Sequence, residues 1–331
     1  MQTAAAPSVP EDELAGRAGV ALLAVLAALC APAGAAAYGW PLKPFHEQHP
    51  IRGGFGDPRY HVGAESQVSS FHFGVDIVAR TGQPVYAVEP GFAHVRASHV
   101  VVARASGRRF EYWHIRPAIR SSRYVRLHQL LGYVRPGWGH VHFAESFDGA
   151  YKDPLRRGAL TPYFDPTTPV VSFVQLVGPG GEVVNDGHVT GMVDVVAGAY
   201  DTPPQAPPPP WQVARLAPAT IWWVLTGPDR LTETSVAVDF SHGIPINALY
   251  PYVYAPGSYQ NKPNRPGLYL FWLAHFLDTS AGPDGRYQLE IFAEDTRGHV
   301  GTQTLSFTTA NGVSTRWAPP SPGRVDGDVP Q

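Results

Sequence analysis

His72-Phe73-Gly74-Val75-Asp76-Ile77-Val78 sets an imidazole and a carboxylate four residues apart at the entrance to a short β-branched run. Downstream it is answered by Tyr112-Trp113-His114 and by His140-Val141-His142-Phe143. Short alternating or apolar runs closed off by glycine and proline read as strands, not helices. Val75 to Val78 is therefore a strand. The same reading gives strands at Pro84 to Val88, His99 to Ala103, Phe110 to His114, Leu130 to Val134 and His140 to Glu145. Thr81-Gly82-Gln83-Pro84, Pro90-Gly91, Ser106-Gly107 and Pro136-Gly137 supply the turns, and Gly53 to Arg59 reads as one glycine-rich turn with Phe55 as its anchor. No stretch in this region carries a sustained helical period.

The surroundings agree with a mainly β protein. Of 331 residues, 34 are glycine and 34 proline while only 16% are charged, which favours many short strands over amphipathic helices. That length suits about two domains with tails. Beyond Thr168, seven runs (Val170 to Val177, Val189 to Val196, Ile221 to Leu225, Thr234 to Phe240, Gly267 to His275, Arg286 to Ala293, Thr302 to Thr308) predict a β-sandwich of immunoglobulin-like type over 170–310. Trp222, Trp223, Phe271 and Trp272 are expected in its core. Pro203 to Pro210 forms a stiff surface insert, and 311–331 is rich enough in Pro, Gly and Asp to predict a disordered tail.

Residues 1–37 read as a signal peptide, with an Ala/Leu/Val run from Val20 to Leu29 and small residues at Ala35 to Ala37. Export to the periplasm, cell envelope or medium follows, and the protein is not an integral membrane protein unless that segment is retained as an anchor. Cys30 is the only cysteine and falls within the leader, so the mature chain has neither disulfide nor thiol nucleophile. A formal net charge of -2 gives no argument for nucleic acid as a partner.

The histidines carry the chemistry. Residues two apart on a strand face the same way, so His140 and His142 project together, with Cα atoms about 6.5 to 7 Å apart. One can ligate a metal while the other stands beside its bound water. His72 and Asp76 would lie about 13 Å apart on a straight strand, so the chain must bend between them, and Gly74 provides a permissive backbone. Two imidazoles and one carboxylate leave a fourth position open on one zinc ion, the catalytic arrangement; a closed structural site would draw on cysteine. Hydrolysis of an amide is the implied reaction. There is no Gly-x-Ser-x-Gly elbow, no phosphate-binding loop and no His-Glu-x-x-His helix. The competing reading is an envelope scaffold in which the histidines are incidental.

Phe55-Gly56-Asp57-Pro58-Arg59, His72 to Ile77, Gly82 to Ala87 with Gly91, Tyr112 to His114 and His140 to Phe143 together resemble the lysostaphin-type zinc endopeptidases, which cut peptidoglycan cross-links. The resemblance covers roughly 38–169. It implies a curled antiparallel β-sheet with the metal in a groove, zinc on His72, Asp76 and His142, and catalytic roles for His114 and His140. It also implies cross-link peptides of peptidoglycan as substrate, or, for a non-catalytic member, wall binding or activation of another hydrolase. The turn before His140 is short, only Pro136-Gly137-Trp138-Gly139, and His128 stands where a glycine is usual. Which side chains bind substrate is not legible. Nine arginines between Arg96 and Arg135 (Arg96, Arg104, Arg108, Arg109, Arg116, Arg120, Arg123, Arg126, Arg135) face only Glu111, and we expect them to form a basic rim that attracts an anionic envelope polymer.

Overall fold

The computed structural model describes residues 37–62, 67–185 and 188–312. The leader and Cys30, the tail from 313 onward and the side chain of His61 lie outside the described residues. From Tyr38 the chain forms one compact unit, nearly all β.

An eight-stranded sheet, curled into a half-barrel, carries the histidines. Its order is Ile51–Gly53, Val75–Val78, His140–Phe147, Arg108–Trp113, His99–Ala103, Gly91–Val95 and Arg123–Val125, with Ala150–Lys152 also paired to His140–Phe147. A smaller sheet of Pro84–Tyr86, Leu130–Val134 and Ile115–Pro117 accompanies it. Alternation decides which side chains go where. Val75, Ile77, Phe110, Tyr112, Val141 and Phe143 point into a fully buried core, each large one contributing roughly 1.5–3 kcal/mol by burial. Asp76, Trp113, His140 and His142 take the opposite face. His140–Phe147 is nonetheless buried at its first seven positions, because its second face is covered as well.

Several strands of three to five residues were not legible: Ile51–Gly53, Pro58–Val62, Gln67–Phe71, Gly91–Val95, Ile115–Pro117, Arg123–Val125 and Ala150–Lys152. The glycine-rich segment is thus a tight turn at Phe55-Gly56 between two strands, not one continuous turn. His128 sits at φ +57°, which explains why this position suits glycine, and its ring stacks on Phe45 at 3.7 Å.

In the C-terminal half six of the seven expected runs fall largely on single strands, while Val189 to Val196 divides between His188–Val189 and Met192–Tyr200, which belong to different sheets. Val170–Val177, Met192–Tyr200 and Leu270–Asp278 form one sheet; His188–Val189, Val300–Thr309, Gly285–Glu294, Thr220–Thr226 and Thr232–Asp239 form another, and the two share a core. Trp223 and Phe271 lie in that core, whereas Trp222 and Trp272 are half-buried on outer faces, as a period of two requires of adjacent residues. Trp222 stacks on Phe292 instead.

This half reaches back into the first. Phe55 and Phe71 pack in its core. Asp57, fully buried, accepts the Gly54 N–H at 2.8 Å and the Ala217 N–H at 2.8 Å. Tyr254 donates its hydroxyl to the Gly56 carbonyl at 2.7 Å, and Asn261 donates to the Arg52 carbonyl at 3.1 Å. Gly56, at φ +83°, has no room for a Cβ because the Phe240 ring lies against it.

Near this junction three buried carboxylates, Asp165, Asp201 and Asp295, come within 4.8 Å of one another. Burial, then the charges of Asp165 and Asp295, push Asp201 from its ordinary 3.8 up to about 7. A carboxyl whose pKa rises on folding is tolerated best when protonated. Its favourable contribution is therefore complete below pH 3.8 and lost as pH climbs through about 7. In chelator-treated buffer the melting temperature should fall between pH 5 and pH 8. Asp201→Asn should flatten that fall, with a gain on the order of 1–3 kcal/mol at pH 8 and little at pH 5. Parallel curves for the two proteins would contradict the assignment.

Candidate metal centre

Register builds the site. Asp76 lies opposite His142 on one side and opposite Gly53 on the other, while His142 lies opposite Trp113. These pairs share a face, so the carboxylate and the imidazole meet across neighbouring strands. His72 arrives from the bend between Gln67–Phe71 and Val75–Val78. The bend is present as expected, but Gly74 is required for space: a Cβ there would collide with the Phe143 carbonyl and lie 3.0 Å from Cε1 of His142. Gly53 is required likewise, since a Cβ would come 2.9 Å from Oδ2 of Asp76 and 2.7 Å from Nη2 of Arg59.

His72, Asp76 and His142 are all buried, and their ligand-type atoms converge. Nε2 of His72 is 2.7 Å from Nδ1 of His142 and 3.1 Å from Oδ1 of Asp76, and the last two atoms are 3.3 Å apart. Ligands held 2.0–2.1 Å from a tetrahedral zinc stand roughly 3.3 Å from one another. Nδ1 of His72 donates to the Gly54 carbonyl at 2.6 Å, which leaves the Nε2 lone pair aimed at the centre. Arg59 holds the other carboxylate oxygen, Oδ2, at 3.0 Å. Nε2 of His142 is buried without a hydrogen-bond partner among the described residues, and the ring packs edge-on against Phe73 at 4.5 Å.

Protonation matches this donor set. Burial, then Arg59, lowers His72 to about 3, and burial lowers His142. Burial alone would raise Asp76, but His72, His140 and Arg59 outweigh it and hold the carboxyl well below its usual range. Two neutral imidazoles and one carboxylate are the states a divalent cation needs. A cluster of inward-facing acceptors with few protons between them fits zinc.

His114 and His140 flank the three. Simple alternation would send His114 into the core beside Tyr112, but its backbone turns to φ +63° at the end of Arg108–Trp113 and swings the ring into the groove. There it stacks on Trp138 at 3.6 Å with an interplanar angle of 10°, and its centroid is 4.7 Å from that of His140. Burial, then His140, lowers His114 to about 3, so its ring is neutral near pH 7. His140 places Nε2 3.3 Å from Oδ1 of Asp76, and its Nδ1 lies 2.8 Å from the Trp138 carbonyl. The short turn before His140 thus supplies a ring to His114 and places a carbonyl beside His140. The five side chains line a groove of about 370 Å³ together with Arg52, Arg59, Phe73, Trp113, Trp138 and Gln260.

The basic rim needs correction. Arg108 is buried, with Nε 2.7 Å from Glu145 and Nη1 2.9 Å from Glu89, and Arg104 pairs with Glu89. Of the nine arginines none lines the groove; its cations are Arg52 and Arg59. Glu89 and Glu145 lie outside the arginine-rich stretch, so the local charge count could not find them. Arg52 and Gln260 were also missed, since nothing in the sequence ties either to the histidines.

His142→Ala should bring zinc content from one ion per chain to below about one-tenth while the strands remain, because two donors do not make a tight site. His114→Ala should keep its zinc. Gly74→Ala should lower zinc affinity by about 10–100-fold through the His142 ring. Zinc retained by His142→Ala, in dialysed protein assayed by atomic absorption, would contradict the ligand set.

No protein-family model matches the chain, and no curated protein does so. Solved structures show similarity. A zinc-containing peptidase from Vibrio cholerae is similar at 22% identity, over 35% of this chain and 39% of that one, with a TM-score of 0.29. The catalytic domain of the prophage-encoded protein EnpA from Enterococcus faecalis is similar at 25% identity, over 33% of this chain and 88% of that one, with a TM-score of 0.26. A structure of the SpoIIQ–SpoIIIAH pore-forming complex is similar at 19% identity, over 37% and 90%, with a TM-score of 0.30.

Proposed function

We propose that this chain is an exported zinc metalloendopeptidase that hydrolyses peptide bonds of bacterial peptidoglycan. The observation that carries the reading is the convergence of His72, Asp76 and His142 beside two further imidazoles in an open groove. His72, Asp76 and His142 would hold the ion. Zinc, when bound at such an open site, polarises a carbonyl and lowers the pKa of its water to roughly 7. The remaining work falls to the chain. His114, fixed by stacking on Trp138, is placed to accept a proton at its ring nitrogen. His140, whose Nδ1 accepts from Arg52, offers its Nε2–H to the oxygen that gains charge. Trp113, Phe73 and Trp138 narrow the groove against bulk water.

In this reading 38–169 is the peptidase-like part, and 170–310 is an accessory sandwich of immunoglobulin-like type with the Pro-rich insert 203–210. The partners are cross-link peptides of the wall. Exposed Arg96, Arg109, Arg116, Arg120, Arg123, Arg126 and Arg135 are the residues left to attract an anionic envelope polymer. Among the described residues no helix is long and apolar enough to cross a membrane.

The test is digestion of purified peptidoglycan by the zinc-loaded full chain, followed by mass analysis. New fragments heavier by one water per cut are expected. They should vanish with His142→Ala and slow by roughly 10²–10⁴ with His114→Ala. Stoichiometric zinc with no new fragments would instead support a non-catalytic wall-binding or activator protein.

A further inference from the structure

Arg52 is the extra residue of a β-bulge. Ile51 pairs with Ile77 and Gly53 with the adjacent Asp76, which leaves Arg52 with no residue opposite it on the edge strand. A bulge re-aims a side chain away from strict alternation and is common beside functional sites. Here it sends the guanidinium into the groove wall. One face of the guanidinium lies over the half-buried Trp211 ring, 4.0 Å from the centroid, and Nη2 donates to Nδ1 of His140 at 2.7 Å. Trp211 follows directly on the polyproline stretch, so the C-terminal half fixes the plane of this group.

What Arg52 lacks is an anion. Arg59 is paired with Asp57 and Asp76, Arg104 and Arg108 with Glu89, and Arg156 with Glu145, but no carboxylate among the described residues lies within ion-pair distance of Arg52. Burial lowers its pKa, and the more distant charge of Asp76 only partly offsets this. A partly buried guanidinium without a counter-charge is costly, and among the described residues its one hydrogen bond goes to the neutral acceptor Nδ1 of His140. A second polar group on the same wall is also unsatisfied. Gln260 lines the groove, and its Oε1 is buried without a hydrogen-bond partner. An amide oxygen in that position calls for an N–H donor.

We propose that Arg52 and Gln260 form a substrate subsite, Arg52 taking a free carboxylate through its planar fork and Gln260 accepting from a neighbouring peptide N–H. The ligand class is a peptide bearing a free carboxylate, on a side chain or at its C-terminus. A phosphate would answer the cation but bring no N–H to Gln260. Only the His140 ring separates Arg52 from Asp76. At a rise of about 3.3 Å per residue, the carboxylate belongs one or two residues from the amide presented to the metal centre. The subsite rests on the peptidase reading for its role, and binding measurements separate the two.

The probes are four matched tetrapeptides, with Glu or Gln at the second position and with a free or an amidated C-terminus, titrated calorimetrically into the zinc-loaded full chain. At least one carboxylate peptide should bind about tenfold or more tightly than the doubly neutral one. Which peptide does so tells a side-chain carboxylate from a terminal one. In Arg52→Gln that preference should fall to about unity with zinc content unchanged. Arg52→Lys, which keeps the charge but not the fork, should restore only part of it. Gln260→Leu should weaken all four peptides alike. No preference in the wild type, or an undiminished preference in folded, zinc-loaded Arg52→Gln, overturns the subsite. If the carboxylate preference depends on Arg52 while peptidoglycan stays uncut, the subsite stands and the hydrolase reading falls. If peptidoglycan is cut but no carboxylate preference is seen, the hydrolase reading stands and the subsite falls.

Discussion

Everything in the site depends on the cross-strand pairing of Asp76 with His142. A slip of either strand by one residue would turn its site residue into the core and bring Val141 or Ile77 to the groove, because side-chain direction reverses at every step. The register is held from the other side of the sheet. Val75, Ile77, Val141 and Phe143 are all fully buried in the core, and exchanging them for His140, His142 and Asp76 would strand polar groups there. The apolar face therefore specifies the polar one.

The second constraint is clearance. Gly53 and Gly74 stand where any side chain would strike Asp76, Arg59 or the strand that carries His142. Around them, Asp57 and Arg59 form a short relay: backbone amides from both halves of the chain hold Asp57, Asp57 lies near Arg59, and Arg59 fixes one oxygen of Asp76. The C-terminal half is thus part of the scaffold of the groove. Ala217, Phe240, Tyr254 and Asn261 all act on the segment 52–57.

The sequence made the main strands and the histidine constellation legible for one reason. Val75 to Val78 and His140 to Glu145 are long enough to show their period, and imidazoles on a period of two announce a shared face. Strands such as Ile51–Gly53 and Ile115–Pro117 are too short to show any period. His114 was expected at the end of a regular strand, and nothing local reveals the left-handed turn that brings it to Trp138. Trp222 and Trp272 show the cost of reading an apolar run as uniformly buried when two faces differ. Arg108 shows that a run of like charges says little until its distant partners, here Glu89 and Glu145, are located. Arg52 and Gln260 are legible only in three dimensions, since 208 positions separate them along the chain.

The central claim is that one zinc ion sits among Nε2 of His72, Oδ1 of Asp76 and Nδ1 of His142. Anomalous diffraction at the zinc edge from crystals of the metal-loaded protein tests it directly. The account predicts a single strong peak about 2.0–2.2 Å from each of those three atoms, with His114 and His140 close by but not coordinating. A peak ligated by His140 in place of His142, or one lodged only among Asp165, Asp201 and Asp295, would contradict it.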